Sequence, residues 1–199
     1  MKQMERELRR LRKLVYYDEL TGLLNRRGFH EESERIFRGT SAVWKRKQEK
    51  RQNSDVAFSI MFFDADNFKQ INDVLGHDLG DEVLQKIASL FRKHLRMSDI
   101  VARWGGEEFV VALFGATTQD APAVAERIRK DIEKIKLPRN SEKLKATVSV
   151  GIAIYDGEDS IDKLIKHADE AMYRAKTTGK NKVVIFDPLA RHRVDSASG

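Results

Sequence analysis

The amino-acid sequence predicts an α+β sandwich, in which helices pack against a mainly antiparallel central sheet. Three observations carry that expectation. Residues 56–63 form a nearly continuous apolar run of strand length, the pattern of a central strand buried on both faces. Two further apolar runs, 100–102 and 109–114, flank the segment RWGGEE at 103–108 and read as a β-hairpin turning at Gly105-Gly106. Apolar residues also recur at helical spacing, as Val83, Leu84, Ile87, Leu90, Phe91 and Leu95, and again as Val124, Ile128, Ile132 and Ile135.

Taken in order, the chain opens on Met1, Met4, Leu8, Leu11 and Val15, spaced as a coiled-coil seam or the stripe of an amphipathic helix. Residues 1–17 are therefore expected to be a helical stalk, 18–187 the folded domain, and 188–199 a disordered tail. A Thr21-Gly22 turn ends the stalk and a new helix is expected from about Asn25. It carries Phe29, Ile36 and Phe37, then loses its pattern. Residues 38–54 are polar and basic, with a break expected at Gly39-Thr40-Ser41, and read either as an extended helix end or as a mobile loop. After the central strand come a short helix over 68–74 and a polar, glycine-punctuated loop over 76–81. The helix beginning near Asp120 is followed by a strand at 147–154, a helix at 161–175 and a last strand at 183–186. Strand, helix, hairpin, helix, strand, helix, strand suits the ferredoxin-like or polymerase-palm arrangement.

At 199 residues this is one domain with an appendage. With 41% apolar and 34% charged residues it has the composition of a globular protein, and no apolar run approaches the ~20 residues of a membrane span. Neither a membrane partner nor a signal peptide is expected, and a cytoplasmic location follows. The chain lacks cysteine, which excludes disulfides and thiolate-bound metals, and its five histidines lack the spacing of a zinc helix. The net charge of +6 is local: residues 1–14 and 44–51 carry +4 each, leaving −2 for the rest. A nucleic-acid partner is not expected, because the body of the domain has no basic footprint.

The chemistry gathers at the hairpin turn. Glycines there admit positive φ and let a bulky anion approach the backbone. Glu107 and Glu108 follow at once and, as strand neighbours, point to opposite faces. Asp64 stands at the end of the central strand and would meet Glu107 if the two strands are neighbours. Such a pair suits Mg²⁺, which takes one or two carboxylates and completes its octahedron with phosphates and water. The alternative is that Asp64 caps the next helix.

Four segments, DELTGLLNRRGF at 18–29, DADNFKQINDVLGHDLGD at 64–81, RWGGEEF at 103–109 and DEAMYRAKTTGKNK at 169–182, resemble the GGDEF family, the diguanylate cyclases. The resemblance covers 18–186. It implies a fold similar to polymerase palms and class III nucleotide cyclases. It also implies condensation of two GTP into cyclic di-GMP with release of two pyrophosphates, by a homodimer of half-sites. By resemblance, Asp64, Glu107 and the carbonyl of Ala65 hold Mg²⁺, or alternatively Mn²⁺. Glu108 supports the metal, and either Glu107 or Glu108 is the base for the 3′-hydroxyl. Asn72 and Asp81 would contact guanine; Phe68, Lys69, Gly105, Gly106, Lys176 and Lys180 complete the implied substrate site, the lysines toward the phosphates. Asn72, Asp81 and the helix-end lysines also suit ordinary capping roles.

Arg96 and Asp99 match the RxxD pattern of the family's inhibitory product site, with Arg127 as its secondary arginine. Two departures stand out: residues 38–54 are longer than the family's usual link, and the third motif position is Glu107 rather than Asp, as in some active members. A catalytically silent cyclic di-GMP sensor is the competing reading, which the intact acids oppose. A palm-type enzyme acting on another base is a third. The short stalk suggests either an excised catalytic domain or an enzyme regulated through its dimer alone.

Overall fold

Helix α1 (Lys2–Tyr16) leads through a tight turn into strand β1 (Leu24–Asn25) and helix α2 (Arg26–Glu49). Strand β2 (Phe58–Ala65), helices α3 (Phe68–Leu75) and α4 (His77–His94), and strands β3 (Ile100–Arg103) and β4 (Glu108–Phe114) follow. Helix α5 (Asp120–Glu133), strand β5 (Val148–Ile154), helix α6 (Ile161–Thr177) and strand β6 (Val183–Ile185) complete the chain. The computed structural model describes residues 2–49, 58–115, 120–138 and 144–188.

The strands form one sheet in the order β1-β3-β4-β2-β5-β6. Its four central strands are antiparallel to one another, while the edge strands β1 and β6 pair in parallel with β3 and β5. This is the expected α+β sandwich on a mixed sheet.

Strand β2 is apolar almost throughout because both its faces are covered. Met61, Phe63 and Ala65 face α3, α4 and α5, together with Phe109, Val111 and Leu113 of β4 and Val148, Val150 and Ile152 of β5. Phe58, Ile60 and Phe62 face α2 and α6 on the opposite side, with Val110 and Ala112. Gly151 lies on the α6 side of β5, where a Cβ would come within 2.0 Å of the Ala168 carbonyl oxygen and 2.1 Å of the Met172 nitrogen. The missing side chain is what lets the helix backbone rest on the sheet.

Several local expectations change. Residues 77–81 are not loop but the opening of α4: their polar side chains fall on the solvent face, while buried Gly80 and then Val83 and Leu84 turn inward. Gly76, at φ 85°, makes the corner between α3 and α4. Helix α2 continues through Gly39 to Glu49 without a break at 39–41. Its far end is anchored by Trp44, which packs edge-on against Tyr155 at 5.6 Å and fills the space above Gly157. Residues 50–54, like Met1 and 189–199, lie outside the described residues.

The central strand extends to Ala65, so Asp64 lies within it rather than after it. Strand β1 has no counterpart in the sequence pattern; two residues become a strand only because β3 is alongside. Asn25 caps α2 by accepting the Gly28 N–H at 2.9 Å. No helix among the described residues is long and apolar enough to cross a membrane.

Gly151→Ala should lower stability by about 1–3 kcal/mol, the usual cost of overpacking against atoms that cannot give way. Thermal denaturation is the measurement. A midpoint equal to that of the wild type would show that α6 can lift from the sheet without cost.

Candidate active site

The β2–β4 ladder sets Asp64 directly opposite Glu108, and the β2–β5 ladder sets Ser149 on its other side. Glu107 lies one position before β4, tied in by its carbonyl, which accepts the Ala65 N–H at 3.1 Å. The sequence pairs Asp64 with Glu107; the register makes Glu108 the cross-strand neighbour and Glu107 the adjacent one. Helix α6 brings two further charges. Asp169 interacts with both Asp64 and Glu108 through its charge, and Lys176 places its ammonium 2.6 Å from Asp64 Oδ1. At that distance the ammonium makes a close charge-assisted contact with the buried carboxylate, and it is the interaction that opposes the loss of solvent there.

Four carboxylates therefore share one cation. Burial raises the pKa of Asp64, with Asp66 and Asp169 adding to the rise and Lys176 opposing it. Burial and then the Asp64 charge raise Glu107; burial, Asp64 and Asp169 raise Glu108. Asp169 is raised by burial and by Glu170. Such mutual repulsion is what a bound cation would relieve. All the donors are hard oxygens, which suit Mg²⁺ or Mn²⁺. Among the described residues no three acidic or histidine side chains by themselves enclose an ion.

The hairpin tip is held from below. The Arg103 guanidinium donates to the Gly106 carbonyl at 2.7 and 3.1 Å and reaches both Asp18 oxygens at 3.2 and 3.3 Å. Burial works against ionised Asp18, but hydrogen bonds from the Thr21 hydroxyl and N–H, with Arg103 beside them, hold its carboxyl below the usual range. Trp104 packs against Phe29 and Phe62, and the Arg26 guanidinium lies 4.6 Å over its ring. Neither turn glycine has a positive φ, contrary to expectation. A Cβ at Gly105 would lie 2.3 Å from Glu108 Oε2, so a side chain there would displace that carboxylate.

Asn72 on α3 projects toward Gly80 of α4, whose Cβ, if present, would lie 1.9 Å from Asn72 Oδ1. That oxygen is buried without a hydrogen-bond partner among the described residues. Asp81 follows Gly80 in the first turns of α4 and is exposed. Phe68 is buried beneath them and belongs to the core, whereas Lys69 is exposed on the first turn of α3. Lys180, beyond the end of α6, donates to Asn67 Oδ1 at 2.5 Å.

Arg96 and Asp99 form a compact turn between α4 and β3. The Arg96 N–H donates to Asp99 Oδ2 at 2.8 Å, and the Asp99 N–H returns to the Arg96 carbonyl at 3.0 Å. Arg127 of α5 docks on the last turn of α4, donating to His94 Nδ1 at 3.1 Å and to the His94 carbonyl at 3.3 Å. Arg127 is thus held at His94, two positions before Arg96, at the end of α4. This turn and the glycine turn stand at opposite ends of β3, about 13 Å apart by strand rise.

Sequence reasoning passed over Asp66, Asp169 and the Asp18–Arg103 pair. Asp169 had a signal: seven positions before Lys176, it shares that residue's helical face.

The family model described as "Diguanylate cyclase, GGDEF domain" matches residues 15–182. Diguanylate cyclase DosC of Escherichia coli (strain K12) is 39% identical over 173 residues, which cover 86% of this chain and 35% of DosC. The chain thus spans about a third of the length of that relative. The crystal structure of the coiled coil and GGDEF domain of DgcB from Caulobacter crescentus, in complex with c-di-GMP, superposes with a TM-score of 0.78 at 27% identity, covering 92% of each chain. The active GGEEF domain of a diguanylate cyclase from Vibrio cholerae superposes with a TM-score of 0.63 at 31% identity, covering 77% of this chain and 95% of that one.

The crowding of carboxylates has a measurable cost whatever the site binds. Because the Glu108 pKa is raised on folding, the native state holds the proton more tightly than the unfolded state. Stability is therefore lost as pH rises through the raised value. Glu108→Gln removes that loss. In the absence of divalent cations at neutral pH the variant should melt higher than the wild type. The gain should vanish below the ordinary glutamate value of 4.5. A variant that melts lower at neutral pH would show that Glu108 is stabilised rather than strained.

Proposed function

This chain belongs to the GGDEF family of diguanylate cyclase domains, and from that premise we propose that it condenses two GTP into cyclic di-GMP with release of two pyrophosphates. The observation that carries the proposal is the pairing of Asp64 with Glu108 across the sheet, beside a two-glycine turn and under Lys176. The Vibrio cholerae domain, named as active, also has glutamate in the third motif position, so Glu107 is compatible with turnover.

In this reading Asp64, Glu107 and the Ala65 carbonyl hold the divalent cation, Mg²⁺ or Mn²⁺, with Glu108 in support. Such a cation lowers the pKa of a bound hydroxyl and offsets the charge on the transferring phosphate. Lys176 then moves its charge from Asp64 to the triphosphate, joined by Lys180 and Lys69. Gly105 and Gly106 leave room for the phosphates along the hairpin tip, and the Arg103–Asp18 pair keeps that tip in place. Asn72 and Asp81 select the base: a carboxylate accepts the N1–H and N2–H of guanine, while adenine offers no hydrogen on N1. The buried, unpartnered Asn72 oxygen supports a polar ligand at this corner.

Each 3′-hydroxyl attacks the α-phosphate of the other GTP. Its proton passes to Glu107 or Glu108, and pyrophosphate leaves with the bonding electrons. One chain carries one such set of residues, so the competent species is a two-fold dimer that brings two half-sites together. Met4, Leu11 and Val15 of α1 are exposed and available for a paired stalk. Arg96, Asp99 and Arg127 form the inhibitory site for the product, away from the reacting phosphates. Because its substrate is GTP, the domain works on the cytoplasmic side.

The direct test is chromatography of the products after incubation with GTP and Mg²⁺, with ATP in parallel. Cyclic di-GMP should form with specific activity that rises with protein concentration. The kcat/KM for GTP should exceed that for ATP by up to roughly 10⁴, since a site built for a hydrogen-bond donor is left unpaired by the wrong base. Equal use of ATP would sink the guanine assignment. Arg96→Ala should leave the initial rate within about twofold and weaken cyclic di-GMP binding about tenfold or more, the range of a lost bidentate base contact. Calorimetry with cyclic di-GMP reads this directly, and undiminished binding would remove Arg96 from the product site.

A further inference from the structure

Asp66 is fully buried, yet the catalytic proposal gives it no part. Its Oδ1 accepts the Ser149 hydroxyl at 2.6 Å. Its Oδ2 accepts the Thr147 hydroxyl at 2.8 Å and the Asn181 N–H at 3.0 Å. Ser149 and Thr147 belong to β5 and its approach, and Asn181 to the turn after α6. Two residues past Asp64, one carboxylate thus fastens the end of the central strand to two other parts of the chain.

The turn it holds has left-handed backbone at Lys180, a residue type that seldom adopts it, and at Asn181, which adopts it more readily. Among the described residues, the non-glycine positions with positive φ are Asn67 at 55°, Lys180 at 59° and Asn181 at 44°. All three belong to this network. Asn67 follows Asp66 directly and accepts the Lys180 ammonium at 2.5 Å, while the Asn181 side-chain oxygen takes a hydrogen bond from Arg129 at 2.5 Å. Left-handed backbone at such residues persists only where surrounding contacts over-determine it, and it gathers at ligand-binding positions. A carboxylate suits this place because it accepts on both sides and presents no donor that would oppose the three it faces.

We propose that Asp66 is a positioning residue for the triphosphate: by fixing the left-handed turn at Lys180-Asn181 it holds the Lys180 ammonium over the phosphates. This rests on the reading of Lys180 as a triphosphate contact. Asp66 acts on the ligand through the turn; its charge also bears on Asp64, an influence that Asp66→Asn removes while the turn keeps its acceptor. Its removal therefore affects affinity according to the number of phosphates on the ligand, which a loss of packing would not do.

The experiment measures binding of 3′-deoxy-GTP, which lacks the attacking hydroxyl, and of 3′-deoxy-GMP by calorimetry with Mg²⁺. Asp66→Ala and Lys180→Ala should each weaken the triphosphate about tenfold while changing the monophosphate less than about twofold, the scale of one charge-assisted contact. The double variant should bind no more weakly than Lys180→Ala, because both act through one contact. Asp66→Asn should recover most of the loss: its oxygen can face Thr147 and Asn181, and the Ser149 hydroxyl can turn to accept from its amide.

If Asp66→Ala does not fold, Asp66→Ala with Ser149→Ala, which strands no hydroxyl on β5, carries the same expectations. Equal loss for both nucleotides, or losses that multiply in the double variant, would overturn the proposal and leave the lysine contact standing. An unchanged triphosphate affinity in Lys180→Ala would instead overturn the phosphate reading of that lysine, and the proposal with it.

Discussion

The register of β2 between β4 and β5 is the constraint on which the rest of this molecule depends. Seven consecutive pairs on each side fix Asp64 beside Glu108 and Ser149. A slip of one residue would turn every side chain to the opposite face. In most sheets polarity prevents such a slip, but β2 is apolar toward both layers, so polarity alone decides little here. Shape contributes on the β5 side, where Gly151 lies under the α6 backbone and a valine or isoleucine brought there would collide with it. One glycine thus fixes how β5, the neighbour of β2, sits beneath α6.

That alignment is electrostatically unfavourable by itself. Asp64, Glu107, Glu108 and Asp169 are all raised by burial and, in varying order, by neighbouring acids, against the single charge of Lys176. The apolar layers on either side of the sheet stabilise the fold enough to carry this repulsion. Sites that bind a cation and a polyanion commonly sacrifice stability in this way. One lysine, Lys176, moderates the repulsion among all four acids.

The surroundings divide into parts that react and parts that hold. Arg103 and Asp18 fasten the glycine turn to the segment that follows α1, so the stalk and the hairpin tip share an anchor. Asn25 reaches back to the Val15 carbonyl at 2.9 Å, joining the same stalk to α2. At the other end of β3, Arg127 and His94 fasten α5 to the last turn of α4, just before the turn of Arg96 and Asp99. His94 in turn bonds Asp131 at 2.9 Å, whose carboxyl is held well below its usual range by Lys134 and His94. A short rigid strand therefore separates two clusters, each tied to a different helix.

The sequence by itself determined the parts of this protein that depend on local period and chemistry. The apolar run at 56–63 announced a doubly covered strand, two glycines between apolar runs announced the hairpin, and the periodic residues from Val83 to Phe91 announced the inward face of α4. Residue types at motif spacing pointed to Asp64, Glu107 and Glu108 before any contact was known. Tertiary structure decided what depends on distant neighbours. Residues 77–81 look like a loop because their side chains are polar, yet they are helical because that face meets solvent. Helix α2 runs past Gly39 because Trp44 finds Tyr155 and Gly157, more than a hundred positions away. Asp66 looks like one more acid near the site until Thr147, Ser149 and Asn181 close around it. A side chain's own chemistry can be read from its letter, but the partners that satisfy or strain it are brought to it only when the chain folds.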